Sequence, residues 1–440
     1  MNRIIITISL SLFGLAGLRA QDDSQWSLAK MVDYALENNI NTKKSTLDLK
    51  SADASYRQAK NDKLPSLSGS ASYQLSNGSS IDQITNSWSS NMTNTNNFGV
   101  SANWSIYQGN KLNLNIQKSE LQLEQSELYV EEAKNNIQLS VLEAYINAMY
   151  AHEAITITEN TLAATQSQLE QAKVKFENGD IARDELADLE TQYATNQSEV
   201  VSTQQNYQQK VLALKQLLEL DPQSDFDVEL VELDDETQFI PGKEDVFAQA
   251  VETLPTMKIY DNQKLQAEKD LAISKSGYLP TVSLSAGANT GYTDNINFSY
   301  TNQLSNNIGE YVGINVSIPI FSKKQNKTNV ALSQISIEQS ELDKIQASKD
   351  LYANVETAWQ NAVSSQAQQK ASKTARDNAK LAYDLASKKY EFGDLTPSDL
   401  MVSRNTYLNA EQSYLQNKYM SLLYRQLLKY YQGKSITMLN

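Results

Sequence analysis

The sequence predicts a mainly α fold with a membrane β part, in which long antiparallel α-hairpins join four transmembrane β-strands per chain and the whole arrangement occurs twice. The first observation is an internal repeat: KFENGDIARDEL at 175–186 returns, altered, as KYEFGDLTPSDL at 389–400, an offset of 214 residues. The second is a pair of long segments without Pro or Gly, at about 110–178 and 324–392. The third is a pair of regions in which apolar and small polar residues alternate.

The repeat extends well beyond these two stretches. The matched residues are Ser119 with Ser333, Glu124 with Glu338, Gln125 with Gln339, Ser126 with Ser340, Glu127 with Glu341, Leu128 with Leu342, and Leu64 and Pro65 with Leu279 and Pro280. A unit of this length is too long for a solenoid repeat and indicates a duplicated architecture. We therefore divide the chain into a leader at 1–20, a first repeat at 21–220, a connector at 221–242 and a second repeat at 243–440.

The first residues have the pattern of a secretory signal peptide. Arg3 is followed by an apolar run from Ile4 to Leu18 and by a small residue, Ala20, before a predicted cleavage at Gln21. The run is too short to span a bilayer, so we expect the leader to be removed. The chain has no Cys, which excludes disulfides, thiol chemistry and cysteine-ligated metal.

Charge and composition narrow the class of protein further. The net charge is -14 and becomes -16 when Arg3 and Arg19 leave with the leader, which argues against nucleic acid as a partner. Only 15 Gly and 7 Pro occur in 440 residues, a composition that favours long helices. The mean hydropathy of -0.50 is too low for a helical membrane protein, but barrel strands are only half apolar.

The first repeat begins with a predicted helix from Ser27 to Lys63, which must end before Pro65. Period-two alternation then predicts a strand from Ser66, and a second alternating stretch starts at Phe98. Residues 77–97 are rich in Asn, Ser and Thr without periodicity, which predicts a long polar loop. The first β-hairpin is thus expected at 66–107.

The second repeat predicts an equivalent hairpin at 281–320 with a loop at about 291–310. Strands of about ten residues at a tilt near 40° cover about 25 Å, the apolar height of an outer-membrane barrel. The alternative is two ordinary hairpins that pack one face on a soluble core. No further strands are predicted to complete such a core, and the small Ser, Gly and Asn residues of the polar faces suit a wet lumen.

Four strands cannot close a barrel. An open strand edge in lipid would leave backbone groups without hydrogen bonds, so transmembrane strands here require pairing with other chains. A trimer would supply twelve strands, enough to enclose a channel.

The two long helical segments each predict a hairpin of about 100 Å. Gly179 and Gly393 stand where a helix C-terminus favours a left-handed residue, so the hairpin tips are expected at 179–180 and 393–394. Thr396, followed by Pro397 and Asp399, forms a capping pattern for the returning helix. The returning helices are expected to end near Leu218 and Tyr431.

The connector is acidic and contains two prolines, Pro222 and Pro241. Its acids include Asp225, Asp227, Glu229, Glu232, Asp234, Asp235 and Glu236. We predict an irregular surface segment, because a calcium site would need a Gly-centred spacing that is absent from the sequence.

These residues resemble a known family. SLAKMVDYALENNI at 27–40 and KSADASYRQAKNDKLPSLSGSASY at 50–73 are similar to the opening of the outer-membrane efflux duct (TolC) family. The second copy is similar at 250–287 and has Pro255 where the first copy has Ile40. The resemblance covers essentially the whole mature chain, as a pattern in both repeats.

The resemblance implies a homotrimer with a twelve-stranded barrel in the outer membrane of a Gram-negative bacterium and a helical tunnel across the periplasm. It implies no chemistry, no cofactor and no metal. An inner-membrane pump would supply the energy, and a periplasmic adaptor would join pump to duct at the hairpin tips. The tip residues implied as the adaptor site are Gly179, Asp180, Gly393 and Asp394.

The resemblance also implies a gate at the periplasmic end. Asp399 matches an acid of a ring that narrows the closed entrance, but the second acid of that ring falls on Val402. Tyr390 and Glu185 match positions that link neighbouring helix pairs. Their basic partner falls on Leu395. We expect Arg183 to substitute for it from the other hairpin.

Simpler interpretations stand beside these. Asp399 suits a helix start on its own, with about 0.3 to 1 kcal/mol of helix-dipole stabilisation, and Tyr390 suits helix packing.

Other function classes fit less well. An enzyme is disfavoured because the only His is His152 and no phosphate loop, nucleophile elbow or metal-ligand motif occurs. A coiled-coil rod would not need hairpins of transmembrane length, and a passive porin would not need a helical shaft with tips. The sequence does not distinguish drugs, metal ions, siderophores or proteins as cargo.

Overall fold

The structure is a computed structural model that describes residues 25–81, 88–231 and 239–436. The predicted leader and residues 232–236 of the acidic run lie outside the described residues. The elements in chain order are β1 (Gln25–Trp26), α1 (Leu28–Asn38), α2 (Ile40–Asn61), β2 (Ser66–Ile81), β3 (Trp88–Gln108), α3 (Lys111–Glu177), α4 (Arg183–Leu217), β4 (Asp227–Val228), α5 (Lys243–Thr253), α6 (Pro255–Ser276), β5 (Thr281–Thr293), α7 (Tyr300–Asn306), β6 (Gly309–Ser317), α8 (Gln325–Glu391) and α9 (Pro397–Tyr431).

The backbone follows the same path in both halves. The helices α1 to α4 have 11, 22, 67 and 35 residues, and α5, α6, α8 and α9 have the same lengths in the same order. The eight described residues with positive φ also pair at the 214-residue offset. They are Gly109 with Lys323, Asn110 with Lys324, Gly179 with Gly393, and Glu219 with Gly433. The duplication therefore extends to individual backbone angles.

The single helix predicted from Ser27 to Lys63 is wrong, because Asn39 divides it. Asn39 has ψ 134°, outside the helical range; its side chain accepts from the Asn41 amide and donates to the Leu217 carbonyl at 3.0 Å. In the second half the same break falls at Leu254, immediately before Pro255. Proline enforces the break there, and in the first half an Asn cap does so.

The long helices form two antiparallel hairpins, α3 with α4 and α8 with α9. At 1.5 Å per residue the 67 residues of α3 and of α8 each span about 100 Å. The two hairpins meet where α3 packs against α9. The largest buried cluster lies at the base of this seam, where α1 covers Leu142, Tyr145 and Met149 of α3. We call the α3–α9 contact the seam.

The sheet is antiparallel throughout, in the order β2-β3-β5-β6, so β2 and β6 each leave one edge unpaired. Its strands have 16, 21, 13 and 9 residues, so β6 has about the ten residues expected and the other three are longer. The loop predicted at 77–97 is wrong at 77–81 and 88–97, because pairing continues from Ser76 with Thr93 to Ile81 with Trp88, while residues 82–87 lie outside the described residues. Alternation is absent from the sequence there because Ser, Asn and Thr predominate, and backbone pairing does not require it.

The loop predicted at 291–310 is also replaced in part by structure. β5 continues to Thr293, and the short helix α7 packs against it. The buried Gln303 organises this turn: its Nε2 donates to the carbonyls of Thr293, Ile296 and Phe298, and its Oε1 accepts from the Thr293 amide at 2.9 Å. One buried polar side chain carries no periodic signal, which is why the sequence did not reveal it.

The first half of the connector packs against the main core cluster, contrary to the predicted surface segment. β4 pairs in parallel with β1, and Phe226 lies against Trp26 with ring centroids 5.6 Å apart. Val228 is buried in the main core cluster. Because acids stand between these apolar residues, the sequence pattern did not predict this strand. Among the described residues, no helix combines the length and hydropathy needed to cross a bilayer.

Candidate functional site: the sheet, the hairpin tips and the seam

The sheet has one apolar and one polar face. The strand registers bring Leu67, Ala102, Ala286 and Val312 into one row and Ser66, Asn103, Ser285 and Gly313 into the next. The apolar row belongs to a face that stands in solvent in a single chain, and Ile314 on it is 69% exposed. An apolar face left uncovered on this scale indicates a partner surface or a membrane.

Aromatic residues also lie on that apolar face. Trp104 is on the same row as Leu284, one row inside that of Val282, and donates from its indole to the Lys63 carbonyl at 2.7 Å. At the far end Tyr73 and Tyr292 both pair with Asn96. Aromatic side chains on the apolar face are typical of outer-membrane strands.

The tips are tight glycine turns at the opposite end of the shaft. Gly179 has φ 81° and Gly393 has φ 82°. The amides of Asp180 and Asp394 reach back to the carbonyls of Lys175 and Lys389 at 2.8 and 2.9 Å, which is the Schellman pattern of a helix C-terminus. A Cβ at either glycine would meet no atom within 4 Å, so both turns are open to a partner.

Most of the residues implied by the resemblance surround one cavity of about 610 Å³ between the two tips. Its walls include Lys175, Asp180, Glu185, Tyr390, Gly393, Asp394, Leu395 and Asp399. Gly179, Arg183 and Val402 are absent from its walls. The geometry thus brings the two hairpins together at their ends, although each contributes from a different repeat.

Tyr390 is the buried centre of this cavity. Its side chain is 5% exposed, and its hydroxyl has no hydrogen-bond partner among the described residues. The Lys175 ammonium lies 4.6 Å from the centre of the Tyr390 ring, a cation–π contact between the hairpins. Burial raises the pKa of Tyr390, and the charge of Glu185 raises it further. Lys175, which the sequence offered only as a marker of the repeat, is therefore the basic group at Tyr390.

Arg183 does not take the role expected of it. Its Nη2 lies 3.2 Å from the Glu190 carboxylate, and its guanidinium stands 5.9 Å from the centre of the Phe176 ring, both in its own hairpin. Arg183 begins α4, whose next two turns bring Glu190 onto the same side. A partner on the same helix surface is closer than Tyr390, and the cross-hairpin pairing is not found.

Thr396 caps the returning helix, and Asp399 in its first turn bonds with this cap. Its amide donates to the Thr396 Oγ1 at 3.2 Å, and that hydroxyl donates to the Asp399 Oδ2 at 2.7 Å. Val402, one turn on, is exposed. Within one chain, Asp399 thus stabilises the start of the helix, as the simpler interpretation predicts.

A polar layer that sequence reasoning missed crosses the seam above the tips. The buried Thr165 hydroxyl of α3 accepts from Asn196 of α4 at 2.7 Å and from Arg404 of α9 at 2.6 Å. Gln168 accepts a second bond from Arg404 at 3.3 Å and donates to the Tyr383 hydroxyl of α8 at 3.4 Å. All four shaft helices meet in this layer, which we call the Arg404 layer.

A groove of about 380 Å³ runs along the seam from the Arg404 layer towards the largest buried cluster. Ile157, Ala164 and Leu408 supply apolar walls, and Glu153 closes its far end. Among the described residues, no group of three or more His, Cys, Asp or Glu side chains is placed to hold a metal ion. His152 packs edge-on against Tyr207 at 5.3 Å between ring centres.

An open-edged sheet with an apolar belt, continued by a helical shaft of about 100 Å, defines a channel-forming outer-membrane protein. The chain belongs to the outer membrane efflux protein family, whose sequence profile matches residues 31–219 and 252–429, one repeat after the other. It is accordingly an outer-membrane exit duct.

Individual relatives agree with this assignment. The chain is 24% identical over 436 residues to outer membrane protein TolC of Escherichia coli K12, covering 95% of this chain and 83% of TolC. It is 22% identical to the cation efflux system protein CusC of Escherichia coli O157:H7, covering 74% of this chain and 68% of CusC.

Solved structures share the fold. A structure of CusC superposes with a TM-score of 0.79 at 17% identity, covering 93% of this chain and 92% of that one. The CmeC outer membrane channel of Campylobacter jejuni gives 0.76 over 99% and 96% at 17% identity. The open state of the MtrE channel of Neisseria gonorrhoeae gives 0.76 over 93% and 89%, also at 17% identity.

Proposed function

We propose that three copies of this chain close one twelve-stranded barrel in the outer membrane and one helical tunnel below it. Through this duct, substrates leave from an inner-membrane pump and a periplasmic adaptor. The observation that carries the proposal is the pair of unpaired edges on a sheet with an uncovered apolar belt. The duct performs no chemistry of its own, and the pump selects the cargo.

The edges support a trimer. In lipid, the unpaired backbone groups of β2 and β6 would each cost several kcal/mol, so β6 of one copy must pair with β2 of the next. Two copies would give eight strands, which enclose little more than their own side chains. Three copies give twelve strands and leave an aqueous lumen, faced by the small polar row of Ser66, Asn103, Ser285 and Gly313.

The proposal predicts a trimer in which β2 touches β6 of a neighbour. We expect the protein-only mass of the mature chain, extracted from outer membranes in mild detergent, to be about three times the chain mass. Because the chain has no Cys, Ser68→Cys can be combined in turn with Gly313→Cys, Asn315→Cys or Ser317→Cys. At least one of these pairs should cross-link neighbours, whereas a soluble monomer with no cross-link would contradict the proposal.

The tips support adaptor docking. They are the shaft ends farthest from the sheet, and Phe392 beside Gly393 is 83% exposed there. An exposed aromatic next to an open turn is the type of anchor that protein interfaces bury.

We expect Gly393→Trp to weaken adaptor binding about tenfold or more, because a bulky side chain would project from the open turn onto the docking surface. Binding is measured with the purified trimer and the periplasmic part of its adaptor. Gly393→Asn is the matched control: Asn tolerates φ 82° and stays small, so its binding should remain near that of the unmodified chain. Equal binding by the Trp variant would exclude this tip from the docking surface.

Asp399 supports a charged constriction once three copies surround the axis. We expect Asp399→Asn to lower the preference of the channel for cations about twofold or more, because it removes three charges while keeping an oxygen for the Thr396 hydroxyl. Asp399→Ala should in addition raise the conductance. Recordings in planar bilayers measure both quantities, and unchanged values in both variants would remove Asp399 from the gate.

A further inference from the structure

Arg404 is a buried cation that forms hydrogen bonds from only one of its three guanidinium nitrogens. Its side chain is 2% exposed, and only its Nη1 donates, to Thr165 and Gln168 of the Arg404 layer. Nε and Nη2 have no hydrogen-bond partner among the described residues. These two nitrogens form the edge of a guanidinium that takes a carboxylate in a bidentate pair. The edge of Arg404 that is best suited to bind a carboxylate therefore has no partner among the described residues.

The nearby carboxylates already have other partners. Glu153 lies 3.4 Å from the Lys418 ammonium and accepts from the Tyr419 hydroxyl at 2.7 Å. Glu411 lies 4.0 Å from the Arg376 guanidinium, whose nearer partner is Asp377 at 2.7 Å. No described carboxylate forms an ion pair with Arg404, and burial lowers the pKa of its guanidinium. Arg404 thus has no direct counter-ion among the described residues.

Two opposing effects act on the seam. The bonds from Nη1 hold α9 to α3, whereas burial of the charge and of two unpaired donors disfavours the same contact. Replacement of a buried charge by an apolar side chain of similar volume is often neutral or stabilising, and we infer that the second effect is the larger here. Separation of the hairpins would admit water to the groove and hydrate Nε and Nη2. The cost of burying Arg404 then disappears.

We propose that Arg404 primes the seam for opening: its guanidinium disfavours the arrangement in which the two hairpins touch and favours one in which they have moved apart and the groove is wet. The inference rests on the proposed function, in which the helical tunnel opens at its tips. The opposite assignment, a latch that holds the hairpins together through Thr165 and Gln168, predicts effects of the opposite sign.

Helix α9 supplies a matched control. Arg425 lies 21 residues after Arg404, about 30 Å along the helix, and its Nε is also buried without a hydrogen-bond partner. Burial lowers the pKa of Arg425 as well. Arg425 is absent from the walls of the groove. A change at Arg425 should therefore alter stability without altering the opening of the seam.

The test compares four variants of the full-length trimer. In planar bilayers we expect Arg404→Met and Arg404→Gln to lower the occupancy of the open state about three- to tenfold, and to raise Tm. Arg404→Lys keeps the charge and should open nearly as often as the unmodified chain. Arg425→Met should leave the occupancy unchanged. Unchanged or increased opening in both uncharged Arg404 variants would overturn the proposal.

Hydrogen exchange provides a readout that does not require conduction. Amides of residues 400–411 should exchange more slowly in Arg404→Met than in the unmodified trimer, because the seam opens less often. Equal or faster exchange would overturn the proposal. Absence of any channel from the unmodified trimer would refute the proposed function instead, and the exchange comparison would still decide the role of Arg404.

Discussion

We expect Ile314→Lys to abolish the assembled duct and the adjacent Asn315→Lys to leave it intact. Ile314 lies in the middle of the apolar face of β6, on the row of Leu284 and Trp104. Asn315 points to the polar face, opposite Ser283. Lysine near the middle of a bilayer costs about 2–4 kcal/mol, and the change occurs three times in a trimer. The pair of variants differs only in the face that carries the charge.

Recovery from the outer membrane and resistance of the trimer to detergent measure this result. Ile314→Lys should be lost from the membrane fraction or recovered as monomer, while Asn315→Lys should behave as the unmodified chain does. Equal recovery of both variants would mean that neither face meets lipid. The sheet would then pack against protein, and the barrel proposal would fail.

We expect Gly109→Ala to destabilise the chain by about 2–4 kcal/mol. Gly109 forms the corner between β3 and α3 with φ 61°. A Cβ there would lie 2.8 Å from both the Leu279 Cβ and the Ser276 carbonyl oxygen, so backbone would have to move in addition to the left-handed strain. The corner joins sheet to shaft, and a distortion there would propagate into both.

The equivalent corner of the second repeat should respond in the opposite direction. Lys323 occupies the position of Gly109 and has φ 53°, which costs a side chain about 1–2 kcal/mol. We therefore expect Lys323→Gly to raise Tm, while Gly109→Ala lowers it. Thermal unfolding of the purified trimers measures both shifts. A fall in Tm for both variants would mean that Lys323 makes contacts that outweigh its strain.

The shaft could be predicted from the sequence almost to the residue. Absence of Pro and Gly over about 110–178 anticipated α3 at Lys111–Glu177, and Gly179 and Gly393 marked the turns. The apolar alternation of the inner sheet rows was equally clear. Such signals are local, because helix breakers and period-two patterns act within a few residues of themselves.

Features that depend on pairing between distant residues were not predictable. The strand extensions at 77–81 and 88–97 follow from register with a partner strand, and β4 exists because β1 lies beside it. At the site, the sequence located both tips and Asp399 but missed Lys175 and the Arg404 layer. Whether a Lys or Arg on a long helix faces water or a neighbouring hairpin depends on the register of that hairpin, which no local pattern contains.

The equal lengths of the matching helices determine how far the shaft reaches. Because α3 and α8 both have 67 residues and α4 and α9 both have 35, the two tips end at the same level. Insertion of one heptad into α3 and α4 alone would push one tip about 10 Å past the other, so the tips of the trimer would alternate between two levels. A change in the depth of the envelope can therefore be matched only by adding equal turns to all four helices, so the reach of the duct must evolve in concerted steps.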